Sequence, residues 1–232
     1  MTTVRRTQDP ADLVYTPSEV SKLVLGAVDE RRKQPGAGVR MGIPEVDRYM
    51  LPLRPGELIP ILGRPGNYKS GLMEFWARKI SDQILADGSE REVCVLVSWE
   101  MAVEELALYD LAAATKLNSA EIAQGRVDDV TWQKLELAAS KRSARPLWII
   151  GHSIERRKKR PRLTMTRIGE ALHWIEDQMG FKPRAIFLDY LQLMQSESDA
   201  ERRLQISENI NRSKDMAIAM GCPVIMGVQA AR

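Results

Sequence analysis

Five short apolar runs alternate with long helical patterns along the chain, and this alternation restricts the possible folds more than any other feature of the sequence. The apolar runs predict strands at residues 57–62, 92–97, 146–150, 185–188 and 222–228. The helical patterns cover roughly residues 69–87, 102–116, 118–140, 164–179 and 200–220. Strands that are apolar throughout are buried on both faces, and right-handed crossovers join them in parallel. We therefore predict an α/β fold with a mostly parallel twisted sheet and helices on both faces.

The composition is that of a folded domain with one sizeable core. The chain has 232 residues, of which 44% are hydrophobic. It carries 34 Lys and Arg against 31 Asp and Glu, a net charge of +3, so bulk charge gives no argument for nucleic-acid binding. The two cysteines, Cys94 and Cys222, lie in apolar runs outside any metal-binding spacing, which predicts buried thiols in a reducing compartment. No apolar stretch reaches membrane-spanning length, so we expect a cytoplasmic protein with no membrane contact.

A separate helix is predicted before this core. Thr16 is a suitable N-cap, Pro17 suits the first helical position, and Glu19 completes a capping box. The apolar residues that follow recur on one helical face, which predicts an amphipathic helix. Such a helix could pack on its own domain or dock on a neighbouring copy, and the sequence leaves both open.

The chain is accordingly expected to have three regions. Residues 1–15 form a flexible N-terminus, and residues 16–38 contain the amphipathic linker helix followed by a Gly/Pro linker. Residues 39–232 form the core.

A phosphate-binding loop is predicted directly after the first strand. It consists of Gly63, Arg64, Pro65, Gly66, Asn67, Tyr68, Lys69 and Ser70. Such a loop surrounds a polyphosphate with backbone N–H groups at a helix N-terminus, with Lys69 facing the phosphates and Ser70 facing Mg²⁺. Tyr68 stands where the usual pattern has glycine, which weakens the prediction. An ordinary turn is the alternative, although the position between a strand and a helix argues against it.

Two acidic residues follow predicted strands and complete this hypothesis. Residues 185–189 form an apolar strand ending at Asp189, the form of a Walker B element whose carboxylate supports a metal. Residues 93–100 are similar and end at Glu100, a candidate general base that would activate water. The alternative for each carboxylate is that it merely caps the next helix.

A resemblance to a known family then appears. Residues 189–194, with the sequence Asp-Tyr-Leu-Gln-Leu-Met, resemble the Walker B signature of DnaB-like replicative helicases. Residues 98–101, Ser-Trp-Glu-Met, resemble the Ser-x-Glu-Met element of the same family. Further similar segments occupy residues 42–47, 53–58, 207–217 and 223–232. The resemblance runs from about residue 17 to the end in the same motif order.

This resemblance implies a RecA-like P-loop ATPase core that uses ATP and Mg²⁺ in a 5′ to 3′ DNA-unwinding motor. By position, Lys69 and Ser70 would bind phosphate and magnesium, Glu100 would activate water, Asp189 would support the metal and Gln229 would sense the γ-phosphate. The family works in replication on single-stranded DNA as a hexameric ring, with nucleotide held between subunits. Residues 17–33 would then serve ring assembly, and a helicase loader or primase is a possible partner.

Three departures from the family pattern keep alternatives open. Tyr68 replaces the loop glycine, and the chain is expected to lack both a helicase N-terminal domain before the linker helix and the family's C-terminal end, where an arginine finger lies. One alternative is a RecA-like ATPase of another function, such as a recombinase or a clock-type ATPase. The other is a nucleotide-binding assembly or regulatory module, a helicase partner or inhibitor with weak or no ATP turnover.

Two basic segments are candidates for DNA contact. Arg202 and Arg203 follow the Walker B element, where the family has a loop facing the central channel, although they could equally begin the next helix and face water. Residues 156–162 form the densest basic run of the chain, and a solvated loop is its alternative interpretation.

Overall fold

The structure is a computed structural model that describes residues 14–34, 36–155, 162–195 and 201–230. The chain divides into two compact units, with the boundary between Ala37 and Gly38. The first unit contains α1 (Pro17–Lys33). The second contains the following elements: α2 (Pro44–Asp47), β1 (Leu58–Gly63), α3 (Lys69–Ala86), β2 (Glu92–Ser98), α4 (Val103–Thr115), α5 (Ser119–Ala123), α6 (Asp129–Ser143), β3 (Leu147–Ile150), α7 (Met165–Asp177), β4 (Lys182–Asp189), α8 (Arg202–Ala219) and β5 (Val224–Gln229).

The helix α1 begins as the sequence predicts. The Thr16 hydroxyl accepts a hydrogen bond from the Glu19 backbone N–H at 3.3 Å, and the Glu19 carboxylate accepts one from the Thr16 N–H at 2.7 Å. Pro17 occupies the first turn, where its missing N–H costs nothing. Within its own unit, α1 buries no side chain. An amphipathic helix of this kind needs another surface to cover its apolar face.

The five strands of the second unit form one sheet in the order β1-β5-β4-β2-β3. Every pairing is parallel. The predicted α/β fold with helices on both faces is therefore confirmed. Parallel strands place all their carboxyl ends at one edge, and in this sheet the candidate loop and both candidate acids follow such ends.

Alternating residues of the strands belong to two hydrophobic cores, one on each face of the sheet. Cys94 and Leu96 of β2 pack with α3, and we call this side the α3 face. Val93, Val95 and Val97 point the other way and pack with α7 and α8, which we call the α8 face. This period-two alternation is the reason a continuous apolar strand can support two layers of helices.

Both cysteines are buried free thiols, as predicted. Burial raises the pKa of the Cys94 thiol far above its ordinary value and that of Cys222 to about 12. Both thiols are therefore protonated at neutral pH. In the part of the chain that the structure describes, no helix combines the length and apolar character needed to cross a membrane.

Two predicted elements have different bounds. The helix expected over residues 118–140 is broken into α5 and α6, because Gly125 turns the backbone at φ +67° and Asp128 caps a new helix through the Thr131 N–H at 2.8 Å. The strand expected at 185–188 begins earlier, at Lys182. Its N–H donates to the Arg91 carbonyl at 2.8 Å, so backbone pairing with the β2 segment extends β4 into polar residues that hydropathy alone does not mark.

Candidate functional site

The predicted phosphate loop connects β1 to the N-terminus of α3. Gly63 ends β1, and Gly66 has φ +77°, a conformation that favours glycine. Lys69 is the first helical residue, and its Nζ donates to the Arg64 carbonyl at 3.0 Å, so the side chain folds back across the loop. A Cβ at Gly63 would lie 2.9 Å from Lys69 Cγ. Glycine at residue 63 therefore makes room for the lysine to reach over the loop.

Tyr68 adopts the left-handed backbone conformation that glycine would take at this position. Its φ and ψ are 52° and 30°. A non-glycine residue held there costs on the order of 1–3 kcal/mol. The side chain is 87% exposed, so most of the phenol faces solvent and does not fill the loop. The loop thus keeps its fold despite the substitution that weakened the sequence-based prediction.

Strand register brings the candidate acids to the loop. Gly63 pairs with Gln229 across β1 and β5, and Ser98 pairs with Asp189 across β2 and β4. These four residues are the last of their strands. The loop, Asp189, Gln229 and the residues after Ser98 consequently share the carboxyl edge of the sheet, as the sequence predicts for the site.

Asp189 is the buried acid of this edge, with 2% of its surface exposed. Among the residues that the structure describes, its Oδ1 has no hydrogen-bond partner. Burial raises the pKa of Asp189. A hydrogen bond from Ser70 and the charge of Lys69 lower this pKa, whereas the charge of Glu100 raises it further. A buried carboxylate oxygen without a partner, beside a serine hydroxyl, fits the oxygen-ligand chemistry of Mg²⁺. The residues present therefore fit the implied metal.

A tight turn presents Glu100 beside Asp189. The Ser98 hydroxyl donates to the Met101 carbonyl and accepts from the Met101 N–H, both at 3.0 Å. The Trp99 N–H donates to the Asp189 carbonyl at 3.1 Å. Ser98 and Trp99 are buried, whereas Glu100 is exposed. The turn thus fixes the backbone and leaves the Glu100 carboxylate open to water in the site.

Gln192 contacts Gln229 and was missed as a site residue. It lies in a short 3₁₀ helix after Asp189, and its amide donates to the Gln229 carbonyl at 2.8 Å and accepts from the Gln229 N–H at 3.0 Å. This pair of bonds fixes the end of β5 next to the loop. The sequence pointed to Gln192 only as a member of the 189–194 motif, and no function was predicted for its side chain.

A pocket of about 620 Å³ lies at this edge of the sheet. It is lined by residues 65–71 of the loop, by Glu100 and by Gln229. Four further lining residues were not predicted: Glu74, Met101, Tyr109 and Tyr190. Among the described residues, no cluster of three or more His, Cys, Asp or Glu side chains could hold a metal ion. Any metal in this site would depend on Ser70, Asp189 and the ligand itself.

The candidate DNA contacts are only partly described. Arg202 and Arg203 are the first residues of α8, so they begin a helix, the alternative that the sequence left open. Arg202 donates to the Gln192 carbonyl and, at 3.0 Å, to Gln205 Oε1. Both arginines are exposed. Residues 156–161 of the basic run and residues 196–200 lie outside the described residues.

The chain has relatives among known families and proteins. The model of the "DnaB-like helicase C terminal domain" family matches residues 38–232. The replicative DNA helicase DnaB of Helicobacter pylori is 29% identical over 218 residues, covering 92% of this chain and 41% of that protein. The DnaB of Leifsonia xyli subsp. xyli is 27% identical over 227 residues, covering 96% of this chain and 46% of that protein. The chain thus spans less than half the length of these relatives.

Solved structures agree on the fold. One of them, an ATPase domain, superposes with a TM-score of 0.77 at 22% identity, covering 94% of this chain and 73% of that one. A DnaB-like replicative helicase, described with its interactions with primase, gives a TM-score of 0.73 at 24% identity. The superposition covers 91% of this chain and 48% of that one. Likeness at these identities shows the fold alone, whereas the family match spans the whole second unit. By that match, this chain belongs to the family of DnaB-like helicase C-terminal domains.

Proposed function

We propose that this chain is the ATP-hydrolysing motor domain of a replicative DNA helicase that acts on single-stranded DNA. One observation carries the proposal: residues 65–70 of the loop line one pocket with Glu100, at the sheet edge where Asp189 ends β4 and interacts with Ser70 and Lys69. A loop lysine and serine opposite two carboxylates is the minimum arrangement for phosphoryl transfer to water. The match to a family of helicase domains supports the proposal that this hydrolysis drives DNA unwinding.

ATP is the proposed nucleotide, with its phosphates against the loop. Backbone N–H groups of the loop and the N-terminus of α3 favour an anion there. Lys69 would exchange its bond to the Arg64 carbonyl for the phosphates, since its side chain already lies over the loop. Ser70 and Asp189 would hold Mg²⁺, which neutralises phosphate charge when bound.

Glu100 and Gln229 are the proposed catalytic residues. Glu100 would accept a proton from the attacking water, a role that suits a carboxylate exposed to solvent on a turn fixed by Ser98. Gln229 would bind the terminal phosphate, with Gln192 holding its backbone in place. Both side chains already line the pocket.

Assembly into a ring, as a hexamer, is proposed to use residues 17–33. The apolar positions of this amphipathic helix are Val20, Leu23, Val24, Ala27 and Val28. Since α1 buries no side chain within its own unit, a neighbouring copy is a suitable cover for that face. Arg202 and Arg203 are the proposed contacts for the DNA backbone, and a helicase loader or primase is a proposed partner.

A second candidate function is favoured by Tyr68 alone. The left-handed tyrosine removes the glycine that would let the backbone approach phosphate most closely. This observation supports a nucleotide-binding assembly or regulatory module with little turnover. The variant Tyr68→Gly separates the two: tighter nucleotide binding without a gain in turnover would favour the module, and turnover by the wild type favours the motor.

The proposal is tested by steady-state ATP hydrolysis with Mg²⁺, with and without single-stranded DNA. We expect turnover that DNA stimulates, and we expect Glu100→Gln to abolish it. The control is Glu170→Gln, the same change at an exposed position of α7, which should leave turnover as in the wild type. A wild-type protein that does not hydrolyse ATP, or a Glu100→Gln variant as active as the wild type, would rule out the motor.

A further inference from the structure

The carboxyl group of Glu74 is the buried group of the pocket to which the proposed chemistry assigns no role. Glu74 lies on α3 one helical turn after Ser70 and lines the same pocket. It is 9% exposed, and its Oε1 is buried with no hydrogen-bond partner in the described part of the chain. Burial raises the pKa of this carboxyl to about 7. Burying a carboxyl with an unpaired oxygen is costly, so the group calls for a functional explanation.

The arginines near Glu74 are committed to another acid. Asp110 on α4 is 2% exposed and receives Arg78 at 3.5 Å, Arg142 at 3.1 Å and Arg145 at 3.1 Å. The charges of Arg78 and Arg142 reach Glu74 and lower its pKa, while the charge of Asp110 raises it. Arg78 and Arg142 bond to Asp110, and among the described residues no group bonds to Glu74 Oε1. A turn of the carboxyl toward the pocket that Glu74 lines would bring this oxygen to a ligand there.

Beyond the phosphate loop, the pocket lining includes two large side chains without charge as well as Glu74. Met101 and Tyr109 line the pocket with it, and Tyr109 is half exposed. A carboxyl that accepts hydrogen bonds, and that repels phosphate once it is ionised, suits a part of the ligand that carries O–H or N–H donors. Apolar and aromatic walls around one polar group are typical of sites for the uncharged part of a ligand.

We propose that Glu74 accepts a hydrogen bond from the nucleoside part of the bound nucleotide, and that Met101 and Tyr109 form the wall beside it. The donor is a ribose hydroxyl or the exocyclic amine of the base, which share the same hydrogen-bond chemistry. Glu74 thereby determines specificity, because an analogue without the donor leaves a buried oxygen unpaired. This inference rests on the proposed function of the same pocket.

The test is calorimetric titration of the full chain with Mg²⁺ and four ligands: ADP, 2′,3′-dideoxy-ADP, inosine diphosphate and pyrophosphate. The variant Glu74→Leu should bind ADP about tenfold more weakly than the wild type, the loss expected for a charge-assisted hydrogen bond. Its affinity for pyrophosphate should stay within about twofold, because the phosphates do not use the carboxyl. In the wild type, weak binding of the dideoxy analogue assigns the donor to the ribose, and weak binding of inosine diphosphate assigns it to the amine.

Asp82→Leu is the matched control. Asp82 lies on the same helix, pairs with Arg145 at 3.1 Å and is not a lining residue of the pocket. This control should bind all four ligands as the wild type does. Glu74→Gln keeps the size and one acceptor oxygen, so it provides the test if the leucine variant does not fold, and it should show a smaller loss.

Two results overturn the proposal in different ways. A Glu74→Leu variant that binds ADP as tightly as the wild type, or that loses pyrophosphate equally, rules out nucleoside recognition by Glu74 while leaving the nucleotide site in place. A wild-type protein that binds neither ADP nor pyrophosphate overturns the proposed function, and this inference falls with it.

Discussion

The α3 face and the α8 face of the sheet bury similar aliphatic side chains but differ in how their buried polar groups are bonded. On the α8 face, the Ser213 hydroxyl donates to the Asn209 carbonyl at 2.7 Å, and the Trp99 indole N–H donates to the Leu163 carbonyl at 2.8 Å. On the α3 face, Glu74 Oε1 and Trp76 Nε1 are buried without partners among the described residues. Buried polar groups are normally paired, so these two unpaired atoms cost the α3 face folding free energy.

The proposed nucleotide pocket lies at the end of the α3 face. Lys69 and Ser70 begin α3, and Glu74 follows one turn later. The unpaired oxygen of Asp189 lies at the same edge. Two of the buried unpaired polar atoms of the described residues, on Glu74 and Asp189, therefore lie where a charged ligand is proposed to bind.

The largest expected difference between the faces concerns turnover. Lys69 and Lys214 each donate to a backbone carbonyl, the first at 3.0 Å to Arg64 and the second at 2.6 Å to Gly56. Lys69→Ala should lower ATP turnover on the order of 100-fold, because it removes a charge from the phosphates. Lys214→Ala on α8 should leave turnover unchanged. Steady-state hydrolysis measures both, and equal losses would break the functional distinction between the faces.

The next effect tests whether the two cores are alike in packing. Ile80 on α3 and Leu172 on α7 are both fully buried. Truncation of either to alanine should lower the free energy of unfolding by about 2–5 kcal/mol, from lost burial and the cavity left behind. Urea denaturation measures each loss. A cost below about 1 kcal/mol for only one of the two variants would show that one core is loosely packed.

A matched pair of tryptophans tests the hydrogen-bond difference directly. Trp76 and Trp99 are 7% and 2% exposed, and only the Trp99 indole N–H has a partner here. The same change to phenylalanine removes similar apolar area from both. Trp99→Phe should cost about 1–2 kcal/mol more than Trp76→Phe, because it also leaves the Leu163 carbonyl unpaired. Equal losses in urea denaturation would contradict the account of the two faces.

The smallest effect is a pH dependence of opposite sign at two acids near the site. Burial raises the pKa of Glu74 from 4.5 to about 7, so its ionisation destabilises the fold progressively as pH rises between those values. Hydrogen bonds from Ser153 and the backbone N–H groups that follow lower the pKa of Glu104 to about 2, so its stabilisation is present above 4.5 and is lost as pH falls toward 2. The urea midpoint of Glu74→Gln should diverge from that of the wild type as pH rises from 4.5 to about 7. The midpoint of Glu104→Gln should diverge as pH falls from 4.5 toward 2. Parallel curves would contradict both assignments.

The fold could be predicted because its strands are apolar on both faces and its helices are long. The edge position of Asp189 and Glu100 followed from the same pattern, since parallel strands align their carboxyl ends. Strand bounds were less predictable, because Lys182 joins β4 through backbone pairing that hydropathy does not encode. The break before Asp128 depends on one glycine with positive φ in a sequence that otherwise suits a helix.

The residues with an assigned role in the sequence motifs could be predicted as site residues, whereas site residues outside those positions could not. Glu74 lies in the buried part of α3 among apolar neighbours, so its sequence position gives no sign that it lines the pocket. Gln192 contacts Gln229 across 37 positions of the chain, a contact that only the assembled sheet creates. Tyr68 was expected to weaken the loop, yet the backbone there takes the left-handed conformation and the phenol is mostly in solvent.

The central claim is that the loop from Gly63 to Ser70 and the acids Asp189 and Glu100 form one nucleotide site. Calorimetric titration of the wild-type chain with a non-hydrolysable ATP analogue, with and without Mg²⁺, tests it most directly. We predict saturable binding that Mg²⁺ strengthens and that Asp189→Asn makes independent of the metal. Absence of binding, or binding that neither Mg²⁺ nor Asp189→Asn affects, would contradict the claim.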